Sequence, residues 1–398
     1  MNTLVAHWLK KNLKGDLIIW SIVFLLSMLS ILVVYSAVSA PAYKHNAGNT
    51  EHYLVKHTTL ILLSLLAMWL AHKVDYRYYA TISRLLLWIT PMLLLYTYFR
   101  GTNINEATRW IMIPVINQTF QTSDLAKLAL IVNLASMLAK RQKNIEDFKR
   151  SVFPMMLWCG LICGLIALSD FSTAFLLFIT CMLLMFIGRV PFRYLMGLVG
   201  IGLLSIALAL MVGNRGTTFK NRILSYVSEN NTEKVTELPY QVEQSNIAIA
   251  RGGIVGVGMG QSQQRYRLPE AFSDYIFAII IEEHGTKIGF AVILLYLALL
   301  YRGMIVASKS NRAFGGLLSA GLSFSLVLQA IVNMAVVTGL GPVTGLPLPL
   351  LSMGGTSLLF TGVSLGIILS VSRGDIVETT KTHHKKEEQQ IEPNAAGA

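Results

Sequence analysis

Charge is what this sequence has least of. Only 14% of its 398 residues are Asp, Glu, Lys or Arg, while 54% are hydrophobic; soluble domains carry roughly 25% charged residues. So little charge excludes an ordinary soluble surface, and apolar runs of about twenty residues along most of the length point to one helical membrane domain. Cysteine is scarce too. Cys159, Cys163 and Cys181 all fall inside apolar runs, where a thiol acts as a small hydrophobe, and their odd number speaks against a disulfide framework. Acidic residues are outnumbered, 21 against 33 Lys and Arg for a formal charge of +12, yet the basic residues are scattered between apolar runs rather than gathered on one arm or helix face. That pattern reports membrane topology rather than nucleic acid as a partner. Spacings that would mark a metal-ligand set or a nucleophile triad are missing as well.

What is there is a series of apolar runs at about 17–37, 54–72, 79–98, 123–139, 152–168, 172–188, 194–213, 285–301, 314–337 and 357–372. Their lengths predict an all-α bundle of about ten transmembrane helices. The first run is too long for a signal-peptide core and lacks a small-residue cleavage site, so it reads as a retained span. Lys10, Lys11, Lys73, Arg77, Lys140, Arg141, Arg189, Arg302, Lys309, Arg373 and Lys381 all fall in alternate connections. By the positive-inside rule those connections and both termini are cytoplasmic. Residues 1–377 form the membrane domain, and 378–398 are polar enough to predict a disordered cytoplasmic tail. The other face carries the long connections 38–53, 99–122, 214–273 and 338–356, where rigid spans can hold a binding or catalytic site at fixed height. No internal repeat is evident, which weighs against transporter folds built from inverted repeats.

The candidate chemistry lies on that outer face. Asp274 stands where the polar connection 214–273 runs into apolar sequence, so its carboxylate is expected at a membrane surface, partly dehydrated and available for proton chemistry; the alternative is that it caps the helix it begins. Arg109 and Trp110 read either as an interface anchor or as part of a site. Lys127 lies about one turn into an apolar run, and a half-buried ammonium either needs an anion or snorkels to the headgroups. With Arg109 it could hold a diphosphate. Asp170 is a helix cap or a partner for Lys127 or Arg109. The glycines from Gly252 to Gly260 lack the strand and acidic residue of a nucleotide fingerprint and point to tight backbone packing or an anion nest. Residues 341–357 hold too much Pro and Gly for a helix, and at membrane depth such backbone must be shielded or line a wet cavity; a re-entrant segment or a linking turn would fit. Glu282, Glu283 and His284 read as structural polar groups at the membrane edge.

Together these residues carry a resemblance. Arg109-Trp110, Gln121 to Lys127, Asp170 with Thr173, Tyr240-Gln241 with Gln244-Ser245, Arg251 to Gly260, Leu268 to Ala271 with Asp274 to Ala278, Glu282-Glu283, and Pro342 to Pro349 with Ser352 to Ser357 stand in an order and spacing that resembles the SEDS family of shape, elongation, division and sporulation proteins. The likeness is to its division branch more than to its elongation branch. Among the departures, Thr122 and Asp124 stand where the family commonly has Pro and Glu.

The resemblance implies a ten-span peptidoglycan glycosyltransferase in the cytoplasmic membrane, at the division septum. Its substrate would be lipid II, polymerised on the outer face beside a class B penicillin-binding protein and other division proteins. Asp274 matches the family's essential aspartate and would act as general base in an inverting transfer. Arg109, Trp110, Lys127, Asp170, Gln241 and Ser352 would bind substrate. A divalent cation, Mg or Mn, could help to offset the diphosphate charge, with no organic cofactor. The rival functions are a lipid II flippase, an elongation polymerase and a division scaffold. A flippase needs polar residues reaching both faces, whereas here they collect on one.

Overall fold

The computed structural model describes residues 14–38, 50–104, 107–113, 118–212 and 240–374, with side chains left undescribed at 102–109, 113–118 and 203–212. The expected tail at 378–398 and the first part of the 214–273 connection therefore lie outside the described residues.

Among the described residues, ten apolar helices stand at the ten expected positions: α1 Leu17–Ala37, α2 Thr50–Lys73, α3 Tyr76–Arg100, α4 Thr122–Arg141, α5 Phe153–Ala167, α6 Phe171–Ile187, α7 Phe192–Val212, α9 Ile276–Lys309, α10 Ala313–Val337 and α11 Thr356–Gly374. Eight are long and apolar enough to cross a membrane by length and composition; α6 and the described part of α7 are shorter. Large apolar side chains on the periphery, such as Leu66, Leu70, Trp88 and Met92, are exposed, as lipid-facing positions should be. The centre is α4 and α10, packed on each other, with α3 against α4 and α6 and α9 against α10. Small residues allow this closeness: a Cβ on Gly321 would stand 2.9 Å from Ile131 and 3.0 Å from Leu184.

Antiparallel α1 and α9 are buckled at both ends. Asp16 caps α1 through the N–H groups of Ile18 and Ile19 and also takes the Arg302 guanidinium, at 3.0 Å from Nε and 2.5 Å from Nη2. At the other end the hydroxyl of Ser36 donates to Glu283. Burying the Asp16 carboxylate is tolerable because the cap and the cation together satisfy it.

Three features depart from the sequence reading. The 99–122 connection holds a small antiparallel sheet, β1 Thr102–Ile104, β2 Ala107–Ile113 and β3 Gln118–Gln121, in the order β1-β2-β3 with Trp110 opposite Gln121. The 214–273 connection contains a helix, α8 Tyr240–Gly252, which buries Val242, Ser245, Ala248 and Gly252 along one stripe against α9 and α10. α9 begins before its expected start and breaks at Gly285, where φ 81 and ψ 169 lie outside helical space.

That break is matched to the glycine-rich segment after α8. Val257 and Gly258 donate their N–H groups to the carbonyls of Glu282 and Glu283 at 2.9 and 3.0 Å, and Thr286 donates to Gly253 at 2.9 Å. A Cβ at Gly256 would lie 2.3 Å from the Glu283 carbonyl oxygen. Gly252 and Gly256, with Gly285 opposite, are there for backbone-to-backbone contact, the packing alternative. Glu282 and Glu283 are buried beneath them, Glu282 accepting from Ser262 Oγ (2.5 Å), Gln263 N (3.1 Å) and Arg251 (3.4 Å). They are structural groups, as expected, but inside the protein rather than at its edge.

A polar cavity at one end of the bundle

The starts of α2, α4, α6, α8, α9 and α11 and the end of α10 converge around a cavity of about 610 Å³, completed by Trp110, Thr119 and Gln121 of the sheet and by residues 269–274, 343–347 and 353–355. That volume falls in the usual range for ligand sites. In the expected topology these element ends all share the outer face.

Asp274 is on the cavity wall. It does not occupy the N-cap position of α9, which is Tyr275 with no side-chain cap bond. Instead it sits in a backbone turn held from several sides. Ser273 Oγ donates to Asp274 Oδ1 at 3.1 Å, Asn333 Nδ2 donates to the Asp274 carbonyl at 2.7 Å, and Met353 N donates to the Phe272 carbonyl at 3.0 Å. A carboxylate whose backbone is tied to two other elements keeps a fixed place in the cavity, which general-base chemistry requires.

Trp110, Lys127, Asp170 and Gln241 line the same cavity. Asp170 does cap its helix, accepting from Thr173 N at 3.1 Å and Thr173 Oγ1 at 2.7 Å, and it faces the cavity as well. Lys127 neither snorkels nor pairs with Asp170; its ammonium is 2.7 Å from Asp124 Oδ1 and 3.4 Å from Gln329 Oε1. Gln241 is held by Tyr275 Oη at 3.4 Å. Arg109 lies beside Trp110 in β2, but its side chain is outside the described residues. Ser352 is not in the lining. Its hydroxyl accepts from Leu348 N at 2.7 Å and donates to the Ser273 carbonyl at 2.5 Å, so it braces the backbone next to Asp274.

Sequence reasoning passed over several lining residues. Lys56 and Leu60 come from α2, Glu270 from the turn before Asp274, and Gln329 from α10. Gln329 and Asn333 left a usable signal: two amides one turn apart inside a spanning run are costly unless they have work to do. Here Gln329 Nε2 holds the Pro347 carbonyl at 2.8 Å, and Asn333 Nδ2 holds the Leu346 carbonyl at 2.7 Å. They satisfy the non-helical 341–355 backbone, which lines the cavity as the re-entrant alternative requires. Among the described residues no three His, Cys, Asp or Glu side chains form a set that could hold a metal ion.

The fold and cavity define a multi-pass membrane protein with an ionisable site at one end of its bundle. The family model of cell cycle proteins covering FtsW, RodA and SpoVE matches residues 16–375. Stage V sporulation protein E of Bacillus subtilis (strain 168) is 32% identical over 373 residues, 91% of this chain and 98% of that protein. A protein of Geobacter metallireducens named "Probable peptidoglycan glycosyltransferase FtsW" is 35% identical over 369 residues, 92% of this chain and 96% of its own length. Among solved structures, the rod shape determining protein RodA of Thermus thermophilus aligns with a TM-score of 0.63 at 25% identity, covering 90% of this chain and 97% of that one. A chain from the structure "Structural coordination of polymerization and crosslinking by a peptidoglycan synthase complex" aligns at 0.71 and 24% identity, over 91% and 98%. This chain belongs to the SEDS family, and several of its relatives carry the FtsW name.

Proposed function

We propose that this protein is a peptidoglycan glycosyltransferase that polymerises lipid II on the outer face of the cytoplasmic membrane during division. The observation that carries the reading is Asp274, held on the wall of a polar cavity with Trp110, Lys127, Asp170 and Gln241. The names of the FtsW relatives support the same activity. In the reaction, Asp274 accepts the proton of an acceptor sugar hydroxyl as that oxygen attacks the donor's anomeric carbon. The bond from that carbon to the diphosphate oxygen breaks, its electron pair leaves with undecaprenyl diphosphate, and the configuration inverts. A positioned base typically contributes about 10²- to 10⁴-fold.

The described lining carries the carboxylates of Asp124, Asp170, Glu270 and Asp274 against the ammonium groups of Lys56 and Lys127. A diphosphate entering such a site needs added positive charge. Arg109 is placed in sequence to supply some, and a divalent cation, Mg or Mn, arriving with the diphosphate would supply more. A class B penicillin-binding protein is the proposed partner, in keeping with a likeness to a chain of a peptidoglycan synthase complex. Localisation to the septum, with both termini in the cytosol, belongs to the same reading.

Purified protein with its partner, given lipid II and Mg or Mn, is expected to make glycan strands, and Asp274→Asn to lower the rate by about 10²-fold or more while melting at the wild-type temperature. An Asp274→Asn protein that folds normally and polymerises at the wild-type rate would remove the base from the mechanism.

A further inference from the structure

The cavity presents two described ammonium groups, and they differ in what they are free to do. Lys127 is committed: it lies 2.7 Å from a 4% exposed Asp124, whose other oxygen has no hydrogen-bond partner among the described residues. A phosphate that drew Lys127 away would strand a buried carboxylate, which is strongly unfavourable. Lys56 has no such tie. It lines the cavity from the first two turns of α2, is exposed, and makes no hydrogen bond or ion pair among the described residues.

Its direction is set by its neighbours. His57, next in sequence, is fully buried and hydrogen-bonded to Ser30 Oγ at 2.9 Å, and Ser30 Oγ donates to the Leu351 carbonyl at 2.9 Å. Two turns on, Ser64 Oγ donates to the Leu358 carbonyl at 2.6 Å. A Cβ on Gly362 would lie 2.3 Å from the Ser64 carbonyl oxygen, so α2 and α11 are in backbone contact. α2 cannot rotate without breaking these bonds. Its locked rotation turns Lys56 and Leu60 together onto the cavity.

We infer that, among the described residues, Lys56 is the cation that takes the diphosphate of a polyprenyl-diphosphate-linked substrate, while Lys127 serves to neutralise Asp124. This rests on the polymerase reading above and adds a substrate-binding residue to it. A flexible, hydrated ammonium at the exposed rim of the site suits a group that must be captured and then released as leaving diphosphate each cycle.

The test measures binding rather than turnover. Full-length protein in neutral detergent is titrated with undecaprenyl diphosphate and, separately, with undecaprenol. Lys56→Gln is expected to weaken the diphosphate lipid about tenfold, the equivalent of ~1.4 kcal/mol, leave undecaprenol unchanged, and melt at the wild-type temperature; Lys56→Arg should bind much as wild type does. Equal diphosphate binding by Lys56→Gln and wild type would overturn the assignment. So would phosphatidylglycerol competing as well as undecaprenyl diphosphate, which would make Lys56 a contact for bulk lipid headgroups. A wild-type protein that binds no diphosphate lipid would overturn the polymerase reading itself, a result distinct from either.

Discussion

At position 127 charge and burial oppose each other, and the 2.7 Å contact with Asp124 is what reconciles them. Removing one member of such a pair leaves the other as an uncompensated buried charge, whereas removing both leaves a cavity wall that is merely less polar. Lys127→Met is therefore expected to destabilise the protein by about 3 kcal/mol, and Lys127→Met with Asp124→Leu to recover most of that loss in a thermal unfolding cycle. A loss in the double variant equal to the sum of the two single losses would show the pair to be uncoupled. Ser352 makes a second prediction. Its hydroxyl joins Leu348 N to the Ser273 carbonyl, so Ser352→Ala should cost about 1–3 kcal/mol and lower kcat more than it alters lipid II binding, because it loosens the base rather than the substrate contacts. Much of this site was legible from residue types alone. Asp274 stood out because it sits at a seam between polar and apolar sequence, and Lys127 because an ammonium inside an apolar run demands an explanation. Lys56 did not, since a lysine near a span's start looks like any interfacial lysine. Ser352 looked like a site residue only through the family resemblance, and only coordinates could show its hydroxyl spent on backbone.

Between elements, the decisive contact is the glycine segment against the broken start of α9. Gly285 has a backbone conformation open to almost no other residue, and a Cβ there would stand 2.3 Å from the Ile254 carbonyl oxygen. Gly285→Ala should cost ~3 kcal/mol or more, combining backbone strain with a clash against main chain that cannot yield. Gly253→Ala is the control: it also has positive φ, at 51, but a Cβ there meets nothing within 4 Å, so the loss should be about 1 kcal/mol. Melting temperatures in detergent would rank the two, and equal losses would mean that φ alone, not the packing, matters. This level was only partly readable. Ten spans were visible because an apolar run of membrane length is a strong signal. α8 was hidden because its buried stripe is made mostly of small or polar residues, Ser245, Ala248 and Gly252 with Val242, and depends on α9 and α10 for its stability. The sheet around Trp110 was hidden because β1 and β3 are very short and β2, Ala-Thr-Arg-Trp-Ile-Met-Ile, does not alternate apolar with polar residues.

On the scale of the whole molecule, function depends on which side of the membrane the cavity faces. The buckles at Asp16–Arg302 and Ser36–Glu283 fix α1 and α9 antiparallel, so the two ends of the bundle cannot be confused with one another. Charge then assigns them, since Lys73, Arg302, Lys309 and Arg312 stand at the end away from the cavity and the positive-inside rule makes that end cytosolic. The native thiols Cys159, Cys163 and Cys181 are all buried, which leaves a quiet background for an added one. Met259→Cys sits at an exposed position in the glycine segment, on the cavity side, and Asn311→Cys sits in the exposed connection between α9 and α10. A membrane-impermeant maleimide applied to intact spheroplasts is expected to label Met259→Cys at once and Asn311→Cys only after permeabilisation. The reverse pattern would put Asp274 in the cytosol, where the strands of an external wall cannot be extended, and no rearrangement of the residues around it would restore the proposed reaction.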